Sequence, residues 1–373
     1  MTQRIPLTPD QALERLQRVP EGGLEHVLRQ IDLDLVVRRI AGGWVTHLFR
    51  GPARRELLDL LTRRVGELSP EMRARVLHAM RRLPLSPETS HAIRDAMVSL
   101  TGEPFNRMKH LLNSSGDHHD LEHVVFEHLL PEHREVVLAH IRREADASPS
   151  GDLRILCDID DTVRSMLHER RWPRGRVYPG AVALLTALDR GAAAEPARPG
   201  DITFVTARPE GPQGIIEQYT RNGLSHLGLP PHSVMGGSFL NLFTKTSIKA
   251  RKLQNFERER LLFPDCRKMF IGDSGQADAL VGARMNERAP DFMAAVLIHD
   301  VAGVAATDGA ELAASGVRLF DTYAGAAMQC LELGLITQDA ANAIVAEVRE
   351  AIAALPEGSG KRTLEEQLAR ELG

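Results

Sequence analysis

Asp158-Ile159-Asp160-Asp161, followed by Thr162, comes directly after the apolar run Ile155-Leu156-Cys157. A run of that kind reads as a buried strand, so carboxylates project from its carboxyl end. Crowded carboxylates repel one another and cost stability unless a cation or a reaction offsets the strain. The arrangement suits phosphate chemistry. Three further signals follow in chain order. Thr206 closes the run Ile202-Thr203-Phe204-Val205, a helical stretch carries Lys245, Lys249 and Lys252, and Met269-Phe270-Ile271 runs into Gly272-Asp273-Ser274-Gly275-Gln276-Ala277-Asp278.

The elements that must position these groups are short apolar strands alternating with helices. Strands are expected at Leu153–Asp158, Ile202–Thr206, Lys268–Gly272, Ala294–His299 and Val317–Phe320. Uninterrupted apolar strands separated by helices predict an α/β domain with a parallel sheet covered on both faces. Such sheets bind ligands at the carboxyl ends of their strands. A helical stripe of Ile344, Val345, Val348, Ile352 and Leu355 is expected to pack back on this domain.

Upstream, the pattern is helical. Thr8-Pro9-Asp10, Ser69-Pro70-Glu71 and Ser86-Pro87-Glu88 each place a capping hydroxyl before a first-turn proline and an acid. Val76, Leu77, Met80 and Leu83 fall on one helical face. The stretch 145–152, with Ser148-Pro149-Ser150-Gly151 inside it, breaks the pattern and marks a linker. The expected organisation is an all-α domain over 1–147, an α/β domain over 152–355, and a short charged tail helix over 356–373.

At 373 residues the chain exceeds the size over which one core keeps growing, and 43% apolar residues suffice for two. A net charge of −4 argues against a general nucleic-acid binder, which needs a clustered positive surface. Cys157, Cys266 and Cys330 form no CxxC pair, consistent with small buried thiols in a reducing compartment. The amino terminus carries no apolar leader core, and no stretch approaches the roughly 20 uncharged residues of a membrane helix. The expectation is a soluble cytoplasmic protein that can still touch a membrane surface.

With its four signals in this order, the chain resembles the haloacid dehalogenase (HAD) superfamily of phosphohydrolases. Its motifs are a DxDxT strand end, a strand-terminal Ser or Thr, a Lys, and a GD followed by a second acid. The resemblance implies a Rossmann-like three-layer sandwich and a Mg²⁺-dependent phosphatase. Asp158 attacking a phosphate dianion would meet a Coulomb barrier of about 9 kcal/mol at ~3.5 Å and dielectric ~20. Mg²⁺ held by Asp158, Asp273 and the Asp160 carbonyl would cancel most of it, with Asp278 positioning Asp273 or a metal-bound water. Asp160 is the candidate acid and base, Thr206 the candidate donor to a phosphate oxygen, and a lysine the charge neutraliser. Thr162 is expected to order the loop.

Within that superfamily the chain resembles the actin-patch-protein type of phosphatidate phosphatase domain over about residues 153–335. The features that carry this are DIDDT at Asp158–Thr162, Tyr178-Pro179-Gly180, Thr206-Ala207-Arg208-Pro209, and the stretch from Gly237-Ser238-Phe239-Leu240 to Gly272-Asp273-Ser274-Gly275-Gln276. It favours Lys252 over Lys249 as the motif lysine, because the run from Lys252 to Pro264 looks like the helix that leads to the fourth motif. It implies phosphatidate or a related phosphomonoester as substrate, with no large cap over the site. A soluble nucleotide, sugar or inositol phosphate is an alternative, as is a non-catalytic phosphoryl-binding protein.

In this fold the segment after the first strand forms a flap. The run Arg170-Arg171-Trp172-Pro173-Arg174-Gly175-Arg176 lies there, so Arg171 and Arg174 are candidate binders of an anionic substrate or acidic lipid surface, or else part of a solvated loop. Arg208 is expected to face the pocket. The run Phe239-Leu240-Asn241-Leu242-Phe243 reads as buried packing rather than membrane insertion. His118, His119, His123, His128, His133 and His140 cluster near Asp117 and Asp120, and His119 and His123 share a helical face as a zinc pair would. With no HExxH pattern and no cysteine partner, they read as solvated surface histidines.

Overall fold

The computed structural model describes residues 5–41, 47–113, 121–149, 151–192, 200–209, 223–237, 245–275 and 277–373. Two compact units result: Met1–Pro149 with Leu261–Pro264, and Ser150–Arg260 with Asp265–Gly373.

The described residues of the first unit before Pro149 form α1 Pro9–Gln17, α2 Leu24–Gln30, α3 Leu33–Ala41, α4 His47–Arg63, α5 Pro70–Met80, α6 Pro87–Val98, α7 Gly102–Asn113, α8 Leu121–Glu127 and α9 Pro131–Ala147. The three expected starts hold. Oγ1 of Thr8 accepts from the Gln11 amide, Ser69 Oγ from Met72, and Ser86 Oγ from Thr89, each before a first-turn proline. Val76, Leu77, Met80 and Leu83 are buried. The histidines correct the expectation of a solvated set. His140 is buried with its Nε2 2.8 Å from the Leu100 carbonyl, Nδ1 of His133 lies 2.8 Å from Ser90 Oγ, and the His123 and His128 rings lie 4.8 Å apart. His118, His119, Asp117 and Asp120 lie outside the described residues.

The second unit holds an all-parallel six-stranded sheet of order β3-β2-β1-β4-β5-β6, a Rossmann-like α/β arrangement. Its strands are β1 Leu153–Cys157, β2 Ile202–Pro209, β3 His232–Gly237, β4 Arg267–Asp273, β5 Met293–His299 and β6 Val317–Phe320. The edge strand β3 was not expected. His232-Ser233-Val234-Met235-Gly236-Gly237 has only two apolar residues in a row, because its buried polar side chains find partners, Ser233 Oγ 2.8 Å from Thr203 Oγ1 and His232 Nδ1 2.8 Å from the Pro230 carbonyl. The helices are α10 Ala181–Arg190, α11 Lys245–Leu262, α12 Asp278–Arg288, α13 Ala306–Ala314, α14 Tyr323–Glu332, α15 Gln338–Ala353 and α16 Ser359–Leu372.

Side chains alternate across the sheet. Ile155, Cys157, Phe204, Met269, Ile271 and Leu297 join one core with α10, α14, α15 and α16. Leu156, Val205, Met235, Phe270, Val296 and Ile298 join the other with α11 and α12. Both faces are therefore covered. The charged carboxyl-terminal helix is not a detached tail, since Leu364 and Leu368 are buried in the first core. Beneath β1, the buried Arg154 donates to Glu259, to Asp201 Oδ1 at 3.0 Å and to Thr203 Oγ1 at 3.2 Å, tying α11 to the sheet.

Candidate active site

The strand order runs one way from β1 to β3 and the other way from β4 to β6, so the sheet reverses between β1 and β4. Chains leaving those two strands diverge and open a crevice at their carboxyl ends. Cys157 pairs in register with Ile271, and the Asp158 amide donates to the Ile271 carbonyl at 2.9 Å. The next residues on both strands, Asp158 and Gly272-Asp273, therefore reach the crevice together. Asp278 joins them from the start of α12. A Cβ on Gly272 would lie 2.6 Å from the Asp278 Oδ2, so only glycine lets that carboxylate come this close.

One ligand oxygen each from Asp158, Asp273 and Asp278 lie within 4.8 Å of one another, and all three residues are buried. The buried ammonium of Lys252, on α11, donates to Asp158 Oδ1 at 2.7 Å and to Asp278 Oδ1 at 2.6 Å. This distinguishes the two candidate lysines, because Lys249 lines a separate groove with Arg284 and Met293. Burial pushes Asp158 above the ordinary carboxylate range; Lys252 opposes the shift and the charges of Asp278 and Asp160 add to it. Burial also raises Asp273, helped by Asp278 and Asp158. For Lys252 burial acts downward, but Asp158 and Asp278 outweigh it and hold the amine above its usual value.

Among the described residues, three buried carboxylates gather beside one ammonium. Oδ1 of Asp158 and of Asp278 is taken by Lys252, and Asp273 Oδ1 accepts from the Gly275 amide at 2.7 Å. The second oxygen of each, Oδ2, is buried with no hydrogen-bond partner among the described residues. Three buried carboxylates that come within 4.8 Å of one another, each with an oxygen unpartnered among the described residues, are the hard donor set that Mg²⁺ takes, so the residues fit the implied ion.

The Asp160 carboxylate is not one of this trio. It is partly exposed, with Oδ1 3.5 Å from Arg164 Nε. Asp161 has a different job. Its φ of 60° lies in the left-handed region, a strained conformation for a residue with a side chain. Its Oδ1 accepts from the amides of Met166 and Leu167, and its Oδ2 from Leu167 and His168, at 2.6 to 3.0 Å. Burial raises its pKa, but these amides outweigh it and keep the carboxyl below the usual range. Although Asp161, His168 and Asp273 also come within 4.8 Å of one another, the Asp161 oxygens are already satisfied. Sequence reasoning gave Asp161 no role; an acid five to seven residues before the amides it collects leaves no periodic signal. Thr162 is buried in the same loop, and its carbonyl accepts from Tyr323 Oη at 2.6 Å.

The flap corrects one expectation. Arg171 is only 12% exposed and is fully engaged, donating to Glu169, Asp300, Asp321 and Gln367, so it offers no cation to a substrate. Arg174 is exposed, as are Arg170 and Arg176, and the Arg176 guanidinium lies 4.8 Å from the ring of the buried Trp172. Thr206 and Arg208 stand on β2, on the carboxyl side of the Phe204–Cys157 pair; their side chains lie outside the described residues. The run 239–243 lies outside them too.

No protein-family model, no curated protein and no solved structure matches the chain.

Proposed function

We propose that the chain is a HAD-type, Mg²⁺-dependent phosphatase that hydrolyses a phosphomonoester through an aspartyl-phosphate. The observation that carries this reading is the Lys252 ammonium bridging Asp158 and Asp278 beside three carboxylate oxygens unpartnered among the described residues. Asp158, Asp273 and Asp278 would hold the cation, whose charge offsets the repulsion between nucleophile and phosphate.

An Asp158 oxygen attacks phosphorus as the bond to the leaving oxygen breaks, and Asp160 gives that oxygen its proton. Water then attacks phosphorus, Asp160 takes the water's proton, and Asp158 is regenerated with release of phosphate. Asp160 suits the exchange because it is partly exposed, outside the buried trio. Lys252 keeps the Asp158 carboxylate oriented and balances transition-state charge. Thr206 would donate to a phosphate oxygen, and Arg208 and Arg174 would face an anionic substrate.

Phosphatidate or a related phospholipid is the substrate we favour, with peripheral membrane contact through the exposed Leu167, Arg170, Arg174 and Arg176 of the flap. A soluble phosphomonoester is the second reading, because a cavity of about 560 Å³ beside the flap is lined by polar groups, among them His168, Arg170, Asp300 and Gln367. The three free, buried cysteines support a reducing, cytoplasmic setting. Phosphate release from phosphatidate vesicles and from p-nitrophenyl phosphate, for wild type and Asp158→Asn, tests the reading. Turnover should fall on the order of 10³-fold or more in the variant, and equal rates would end it.

A further inference from the structure

The flap after β1 leaves and returns as a narrow loop. Arg164 pairs antiparallel with Val177, and the Ser165 amide donates to the Arg176 carbonyl at 2.9 Å. Its base carries Asp160, which bridges Arg164 through the backbone and faces it at 3.5 Å. Its far end meets the site, because a Cβ on Gly275 would lie 2.5 Å from the His168 ring. Asp161 orders the Met166–His168 turn from within the loop, and the outer part of the loop is tied to the rest of the unit by a second group.

Arg171 is where that happens. Nη1 donates to Gln367 Oε1 at 2.9 Å and to the Asp321 carbonyl at 3.3 Å; Nη2 donates to the Asp300 carbonyl at 3.1 Å and to Glu169 Oε2 at 2.7 Å. One guanidinium thus joins the flap, the ends of β5 and β6, and the carboxyl-terminal helix α16. That helix is fixed in turn. Gln367 Nε2 donates to Asp321 Oδ1 at 2.7 Å, and Glu371 accepts from the Asp321 amide and from Thr322 Oγ1, both at 2.6 Å. Gly325 leaves the room, since a Cβ there would overlap the Glu371 carboxylate.

We propose that Arg171 is a positioning residue and that α16 supplies the other half of a clasp, holding the flap so that Asp160 and His168 stand in register with the crevice. The catalytic consequence rests on the phosphatase reading; the clasp itself does not. A chain lacking α16 keeps every motif residue and loses the hold on the flap.

The test uses the full chain with Mg²⁺ and p-nitrophenyl phosphate, in wild type, Gln367→Ala, Arg171→Ala and Arg171→Lys. Hydrogen exchange at the Met166, Leu167 and His168 amides reports the flap without requiring activity. The clasp predicts roughly tenfold faster exchange there in Gln367→Ala and Arg171→Ala. It also predicts kcat lowered about tenfold with KM nearly unchanged, and Arg171→Lys in between. Gln367 is partly exposed, so that variant folds even if Arg171→Ala does not. Unchanged flap exchange in Gln367→Ala overturns the clasp. Faster exchange in variants of a wild type that releases no phosphate upholds the clasp and overturns the phosphatase reading instead.

Discussion

The Lys252 Nζ lies 2.7 Å from Asp158 Oδ1, and this contact fixes the orientation of a carboxylate that has one oxygen left over. Because Asp278 Oδ1 is 2.6 Å from the same nitrogen, a single ammonium at the start of the crevice is shared by two acids. Lys252→Met removes the cation and leaves buried carboxylates facing one another. Loss of one partner from such a cluster costs about 3–5 kcal/mol, so thermal unfolding in chelator should show a lower midpoint, partly restored by Mg²⁺. Phosphate release should drop on the order of 10³-fold.

Divalent cation should stabilise the folded chain. If Asp158, Asp273 and Asp278 hold the ion, Mg²⁺ at about 100 times its dissociation constant adds roughly 2.7 kcal/mol, a rise of a few degrees in midpoint. Asp273→Asn keeps the shape and removes a ligand charge. Its midpoint should not respond to Mg²⁺, and a response equal to wild type would place the ion elsewhere.

His299 sets an acid limit. Burial, helped by the nearby Arg171 charge, depresses the ring to about 4. Nδ1 lies 3.2 Å from the Asp161 carbonyl, and Nε2 lies 3.2 Å from the Asp321 carbonyl and 3.4 Å from Arg171 Nη2, a buried setting next to a guanidinium that holds the ring neutral. The unfolded chain takes up its proton near pH 6.5, while the folded chain does so only near 4. Stability from this residue is therefore complete above about pH 6.5 and falls as pH drops toward 4, by up to about 3 kcal/mol. Urea midpoints for wild type and His299→Gln measured at pH 7.5 and 4.5 should show the wild type losing more, and parallel losses would contradict this.

Much of the sheet was legible because buried parallel strands are continuous apolar runs: Leu153–Cys157 and Met293–His299 needed no context. β3 escaped because two of its buried residues, His232 and Ser233, are polar and break the apolar run. Asp158 and Asp273 stood out because each ends an apolar run, with Asp278 five positions after Asp273, whereas Lys252 was singled out from Lys245 and Lys249 only by the family resemblance. Arg171 was misjudged for a physical reason: its acceptors, Asp300, Asp321 and Gln367, lie over a hundred positions downstream, and a composition of arginines around Trp172 cannot reveal them. The helix carrying Gln367 did offer a sign, with Leu364, Leu368 and Leu372 four apart, that it was more than a charged tail.

The claim beneath all of this is that Asp158 bonds to phosphorus. Rapid acid quench of the protein incubated with Mg²⁺ and p-nitrophenyl phosphate, followed by borohydride reduction, would convert an acyl phosphate to an alcohol that mass spectrometry locates. The account predicts homoserine at position 158 in wild type and none in chelator. Turnover with an unmodified Asp158 peptide, or reduction at another acid, would contradict it.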